Sequence, residues 1–202
     1  MKQYNSNNII CGCDEAGRGA LAGPVVAGAV IFPKNFVNID IQDSKQISSK
    51  MREKMSIIIK QQSIGWGIGV VNVKKIDEIN ILNAAINAMH LAIRNLIKSL
   101  QSTQPDILLI DGNRFKKYNK IPHQCIIRGD SKYLSIAAAS ILAKTYRDQL
   151  MIQLHNKHPE YKWKKNKGYP TQEHKKAIIQ FGITKHHRKS FNLLDKQHCL
   201  NF

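Results

Sequence analysis

The run Ile107-Leu108-Leu109-Ile110 limits the possible folds of this chain more than any other feature. Side chains alternate across a strand, so four consecutive apolar residues need cover on both faces. The run ends at once in Asp111-Gly112-Asn113, where a turn is expected. Other segments fit a sheet built around such a strand. Ile9 to Asp14 and Val25 to Phe32 read as strands, the second closed by Pro33. Ile64 to Val73 reads as a third and is Gly-rich, as if another backbone came close to it. A further strand is expected near Gln124 to Arg128.

Helices alternate with these segments. One is expected after Asp43-Ser44, through about Lys60. Asp77 to Leu100 carries Ile79, Leu82, Ile86, Met89 and Ile93 at spacings of three and four, which gives an apolar stripe. Ser131 to about His155 is dense in Ala and Ser, so its backbone is expected to lie close against the sheet. Thr171 suits an N-cap, and Gly182 stops that last helix. Strands come early and helices late, which predicts an α/β sheet domain with a basic helical extension over about residues 156–202.

The formal charge of +17 is unevenly spread. Residues 1–43 hold three Lys/Arg against four Asp/Glu, residues 44–143 fifteen against six, and residues 144–202 thirteen against four. Such a basic excess predicts a polyanionic partner, because neutralising phosphates releases counterions. Met1 to Asn8 lacks the order of a signal peptide, and the longest apolar stretch, Leu21 to Phe32, is too short to span a bilayer. The four cysteines form neither a disulfide framework nor a zinc pattern, and Cys11 and Cys13 are expected to be buried thiols. A cytoplasmic protein with no membrane association is expected.

Acidic residues are scarce, so their placement matters. Asp14-Glu15, Asp111 and Asp130 each follow an apolar segment. Singly, Asp111-Gly112 can be a turn and Asp130 an N-cap. Together, Asp14 and Asp111 on adjacent parallel strands would lie about 5 Å apart, with Asp130 approaching from a helix start. Carboxylates that close repel unless cations neutralise them, and hard oxygen ligands select Mg²⁺ or Mn²⁺. Asp14 and Glu15 face opposite sides of a strand, so sharing one site requires a bend there. Gly17-Arg18-Gly19 offers a backbone that can approach a sugar-phosphate chain closely. Trp66 and Trp163 read as packing residues, and His174, His186 and His187 as surface or phosphate-adjacent groups.

The stretch Cys13-Asp14-Glu15-Ala16-Gly17-Arg18-Gly19, followed by Leu21-Ala22-Gly23-Pro24-Val25-Val26, resembles the opening of the bacterial ribonuclease HII family. The resemblance continues at Asp43-Ser44-Lys45, Leu109 to Asn113, Gly129 to Lys132, Ser135 to Lys144, Lys167 to Thr171, His187-Arg188 and Ser190-Phe191. It departs at Ala20, where proline is usual, and around Ile183 and Lys185-His186. Arg18 separates the chain from the sister ribonuclease HIII family, which usually has Gly-Lys-Gly.

The resemblance implies a single RNase H-like catalytic domain with a mixed five-stranded sheet flanked by helices. It implies a metal site of Asp14, Glu15, Asp111 and Asp130 that uses Mn²⁺ or Mg²⁺, and two-metal hydrolysis of the RNA strand of RNA–DNA hybrids. Incision 5′ to single ribonucleotides in duplex DNA, as in ribonucleotide excision repair, is also implied, with 5′-phosphate and 3′-hydroxyl ends. Gly17, Arg18 and Gly19 match the motif that senses the ribose 2′-hydroxyl. Tyr169 matches a tyrosine that stacks on the following deoxyribose, and Lys45 and Lys144 match basic positions near phosphates. A monomer is expected. The tail Gln197 to Phe202 loosely resembles a sliding-clamp-binding segment, although a docked tail explains it as well. A binding module without catalysis, or a DNA nuclease or strand transferase, remain the alternatives. The carboxylate set argues against the first, and Gly17-Arg18-Gly19 with Tyr169 against the second.

Overall fold

The structure, a computed structural model, describes residues 4, 8–34, 36, 41, 47–100 and 104–194. In chain order its strands and helices are β1 (Ile10–Ala16), β2 (Val25–Ile31), α1 (Ser49–Gln62), β3 (Gly65–Val71), α2 (Val73–Ser99), β4 (Ile107–Asp111), β5 (His123–Ile126), α3 (Leu134–Lys157), α4 (Trp163–Asn166) and α5 (Gln172–Phe181). The strands form one mixed sheet in the order β3-β2-β1-β4-β5. β1 and β3 flank β2 in antiparallel pairing, while β1, β4 and β5 run parallel. The expected five-stranded mixed sheet is therefore present, with β4 one place from its edge.

The sheet is covered on both faces, as the apolar run of β4 requires. On one face Cys11, Cys13, Ala27, Ala29, Leu108 and Ile110 pack with Ala84, Ala88, Ala92 and Ile93 of α2. On the other, Val30 packs with Ala138, Ile141 and Leu142 of α3 and with Met55 and Ile59 of α1. The Gly-rich character of β3 has a direct cause. A Cβ at Gly67 would stand 2.2 Å from the Ala92 carbonyl oxygen, and one at Gly69 2.0 Å from that of Ala88. Only glycine lets the α2 backbone lie so close. The Ala-rich α3 approaches in the same way, its Ala139 carbonyl 2.3 Å from where a Gly28 Cβ would be.

Two helix starts differ from expectation. α2 begins at Val73, capped by Asn72 Oδ1, which accepts the Lys75 N–H at 2.9 Å. Its geometry breaks at Asn80 (φ 64°, ψ 165°), whose own Oδ1 accepts the Asn83 N–H at 3.0 Å and recaps the longer part. Asp77 instead accepts the backbone N–H groups of Lys189 and Ser190. α3 begins at Leu134, after a 3₁₀ turn at Gly129–Ser131, and its capping residue Tyr133 makes no side-chain cap bond. The simple N-cap explanation of Asp130 therefore fails.

The C-terminal region is built on aromatic packing. Trp163 and Tyr161 stack with ring centroids 5.0 Å apart and pack with Leu21, Ala22, Met151, Ala177 and Ile178. His174 and His187, expected at the surface, are buried in this cluster, while His186 is half-buried. Their hydrogen bonds explain why. His174 Nδ1 donates to the Tyr169 carbonyl at 3.0 Å, leaving Nε2 to accept from Trp163 Nε1 at 3.0 Å and from His187 Nε2 at 3.2 Å. His187 Nδ1 then accepts the Thr184 N–H at 3.0 Å. With both rings neutral each ring nitrogen has a partner, the single Nε2 lone pair of His174 being shared between the Trp163 and His187 N–H groups. The many lysines nearby in sequence hide this. A neutral imidazole packs as an aromatic ring, and burial pulls the His187 pKa down to about 4.

Candidate active site

In the parallel pairing of β1 and β4, Cys13 lies opposite Ile110. The next residues are Asp14 and Asp111, which puts both carboxylates at one end of the two central strands. Asp130 arrives from the turn before α3. One carboxylate oxygen from each of Asp14, Asp111 and Asp130 lies within 4.8 Å of the others. Backbone amides hold two of the three: Asp111 Oδ1 accepts the Gly129 N–H at 2.6 Å, and Asp14 Oδ1 accepts that of Glu15 at 2.7 Å.

Glu15 approaches by another route. β1 stays paired with β2 as far as Ala16 opposite Val26, so the strand does not bend. Its Oε1 meets Arg18 Nη1 at 3.3 Å, and it lines a cleft with Arg18, Asp111, Gly112, Asn113 and Arg114 against α2. Asp14 faces α3, where Ser140 hydrogen-bonds it. The two neighbours thus reach the sheet end from opposite faces, and the bend expected from sequence is unnecessary because Asp111 lies at the strand end, near both.

The electrostatics point to missing positive charge. Burial pushes the Asp14 carboxyl well above the usual range, and the charges of Glu15 and Asp111 push it further, against the Ser140 hydrogen bond. Burial also raises Glu15, with Asp111 adding to it and Arg18 opposing. Glu15 Oε2 is buried with no hydrogen-bond partner among the described residues. A buried acceptor without a donor is costly. A hard divalent cation among these oxygens would satisfy it and offset the repulsion, so Asp14, Glu15, Asp111 and Asp130 fit such an ion.

The other expected residues lie beside this cluster. Gly17 has φ +96°, and a Cβ there would fall 2.0 Å from Arg147 Nε, so an arginine side chain fills its space. Gly19 faces open space, with nothing within 4 Å of its Cβ position. Tyr169 is half-buried, its ring 5.2 Å from Arg147 Cζ and 5.5 Å from Lys144 Nζ. Lys144 also pairs with Asp148 at 2.7 Å. The Gly168 carbonyl accepts the N–H groups of Leu21 (2.8 Å) and Ala22 (3.3 Å), which joins the Tyr169 segment to the loop after Gly19. Lys45 and the tail from Gln197 lie outside the described residues. Ser140 and Arg147 also belong to this site, and neither is marked in the sequence: Ser140 is one small residue among alanines, and Arg147 stands beside Asp148 and near Lys144 like a surface cation.

Acidic side chains gathered at the end of the central strands of a mixed sheet are the pattern of RNase H-like nucleases. The family model for ribonuclease HII matches residues 11–194. A ribonuclease HII of Christiangramia forsetii is 55% identical over 98% of this chain and 98% of its own length. One from Bacteroides thetaiotaomicron is 55% identical over 100% of this chain and 99% of its own. The ribonuclease H2 of Pyrococcus horikoshii superposes with a TM-score of 0.74 at 23% identity, covering 91% of this chain and 94% of that one. A Bst ribonuclease HIII solved with Mn²⁺ gives 0.76 at 16% identity, covering 92% and 68%. An Archaeoglobus fulgidus ribonuclease HII solved with PCNA gives 0.74 at 22%, covering 93% and 97%. The fold is RNase H-like. The chain belongs to the ribonuclease HII family, nucleases of the hydrolase class.

Proposed function

We propose that this chain is an endonuclease that hydrolyses the RNA strand of RNA–DNA hybrids and incises 5′ to single ribonucleotides in duplex DNA. The observation that carries the reading is the meeting of Asp14, Asp111 and Asp130 within 4.8 Å, beside a buried Glu15 oxygen that lacks a donor. These four carboxylates would hold Mn²⁺ or Mg²⁺; two such ions, when bound, activate a water and stabilise the leaving oxygen, giving 5′-phosphate and 3′-hydroxyl ends.

The remaining work belongs to the protein. The backbone of Gly17, Arg18 and Gly19 reads the ribose 2′-hydroxyl, a group that both donates and accepts. Tyr169 stacks on the deoxyribose that follows and so reads the RNA-to-DNA junction. Lys144, and Lys45 by its family position, neutralise phosphates. The basic C-terminal stretch, with thirteen Lys/Arg against four Asp/Glu over residues 144–202, supplies sequence-independent affinity. This activity suits a monomeric single catalytic domain working in the cytoplasm on ribonucleotides left in DNA. Among the described residues no helix is long and apolar enough to cross a membrane.

Cleavage of a duplex with one embedded ribonucleotide, in Mn²⁺ or Mg²⁺ beside an all-DNA control, tests the proposal. Cutting 5′ to the ribonucleotide alone is expected. An intact ribonucleotide duplex in both metals, or equal cutting of the control, would overturn it. A second reading concerns Gln197 to Phe202 as a sliding-clamp tail, supported by its Gln-Leu-Phe pattern and by the PCNA-bound Archaeoglobus relative. Unchanged clamp binding after its removal would end that reading.

A further inference from the structure

Two arginines, Arg147 of α3 and Arg188, are fully buried. Every hydrogen bond their guanidinium groups make among the described residues goes to a backbone carbonyl. Arg147 donates to Pro24 (3.0 Å), Ala22 (3.1 Å) and Lys167 (2.9 Å). Arg188 donates twice to Gly23 (3.0 and 2.9 Å) and once to Arg18 (2.9 Å). Each also lies against one aromatic ring, Arg147 Cζ 5.2 Å from Tyr169 and Arg188 Cζ 5.1 Å from Phe191, yet among the described residues neither has a carboxylate hydrogen-bonded to it, and burying a cation without one is a costly way to fill space. What a guanidinium supplies and an apolar side chain does not is a planar set of donors that fixes the direction of several carbonyls at once.

The carbonyls it fixes are informative. In a trans peptide the C=O and the N–H of the next residue point in opposite directions. Among the described residues no peptide bond is cis. Because Arg188 draws the Arg18 carbonyl inward, the Gly19 N–H on the same peptide faces outward. That amide has no partner among the described residues, and the space beside Gly19 is open. Arg147 works from the other side. It fills the space a side chain at Gly17 would need, and it bridges the carbonyls of Ala22 and Pro24 to that of Lys167, two residues before Tyr169.

We propose that Arg188 and Arg147 are positioning residues for substrate discrimination. Arg188 aims the Gly19 amide at the ribose 2′-hydroxyl. Arg147 locks that loop to the Tyr169 segment, so that ribose reading and junction reading share one rigid frame. This rests on the ribonucleotide-reading role proposed above for Gly17-Arg18-Gly19 and Tyr169. Neither arginine touches the reacting atoms.

The test compares kcat and KM on a duplex with a single ribonucleotide, and Kd for that duplex and for the matching all-DNA duplex, for the wild type, R188Q, R188K and R147Q, the ratio of the two Kd values giving the ribonucleotide preference. In R188Q, loss of one well-aligned hydrogen bond should cut the ribonucleotide preference roughly tenfold. The loss should fall on KM for the ribonucleotide duplex. Affinity for all-DNA duplex and the rise in Tm on adding Mn²⁺ should stay as in the wild type, which a general loosening of the fold would not leave intact. R188K, with one compact ammonium in place of the planar fork, should recover only part of the preference. R147Q should weaken ribonucleotide preference and the dependence on the deoxyribose that follows together. A folded R188Q with wild-type preference overturns the proposal. A wild type with no ribonucleotide preference removes the functional reading beneath it instead. Should R188Q not fold, the Gly19 amide resonance of the wild type in EDTA decides: a shift with the ribonucleotide duplex and none with all-DNA duplex supports the proposal, and an equal response overturns it.

Discussion

Asp111 Oδ1 accepts the backbone N–H of Gly129 at 2.6 Å. This bond ties the end of β4 to the turn that carries Asp130, so one carboxylate places the next. Asparagine at 111 keeps an oxygen acceptor, whereas alanine does not. Asp111→Asn is expected to fold normally and lose cleavage by about a hundredfold or more through loss of a metal ligand. Asp111→Ala should lose cleavage and also about 1–3 kcal/mol of stability, because a part-buried N–H is orphaned. Urea unfolding of both variants separates the two effects, and equal stability would remove the tie.

Burial and neighbouring charge raise both Asp14 and Glu15. Without metal, the folded protein therefore holds protons that the unfolded chain has already released. Their contribution to stability falls as pH rises from the ordinary carboxylate range through the raised values, and acid relieves the repulsion. Asp14→Asn should thus raise the metal-free Tm at neutral pH by about 2–4 °C for each kcal/mol gained. The same variant should lose most of the Tm rise that Mn²⁺ gives the wild type. A metal-free Tm below that of the wild type, or an undiminished Mn²⁺ response, would count against the cluster.

His187 has the opposite sign. Burial, with the nearby His174, lowers it from the ordinary 6.5 to about 4, so the folded state resists protonation that the unfolded chain accepts. Its contribution is full above about 6.5 and is lost as pH falls toward about 4, with a slope of up to one proton. His187→Gln removes this titration. It should lower the urea midpoint at pH 8 and flatten the pH dependence over that window. An unchanged slope would show that the ring does not titrate in the cluster.

Gly69→Ala tests the packing of α2 on the sheet. The added methyl would meet the Ala88 carbonyl oxygen at 2.0 Å and the Ala92 nitrogen at 2.6 Å, both rigid backbone atoms. A cost of about 1–3 kcal/mol is expected in urea unfolding. A neutral substitution would mean that the helix can shift outward freely.

Much of this was readable from residues. The apolar run of β4 named a covered strand, the glycines of β3 announced a close helix backbone, and Asp14 and Asp111 met because their strands pair in parallel. The misses share a cause. Local pattern does not reveal what a side chain meets in three dimensions. His174 and His187 sit among lysines in sequence yet pack as neutral rings against Trp163. Arg147 looks like a surface cation but spends its donors on carbonyls from residues far along the chain. Asn80 interrupts an apolar stripe that continues without a visible break, so the kink in α2 left no sign. Alternation along β1 alone puts Glu15 on the wrong face; only the pairing with β4 shows Asp111 at the strand end beside it.

The parallel pairing of β1 with β4 joins segments about a hundred residues apart. Contacts of such long range form late, since closing a large loop comes before any gain from it. Until the ribosome has released β4, Asp14 has no acidic neighbour except Glu15, and the set Asp14, Asp111 and Asp130 is complete only once the turn after β5 has followed. A growing or half-folded polypeptide therefore holds the acidic residues apart, and the cluster exists only once the sheet has been assembled around it.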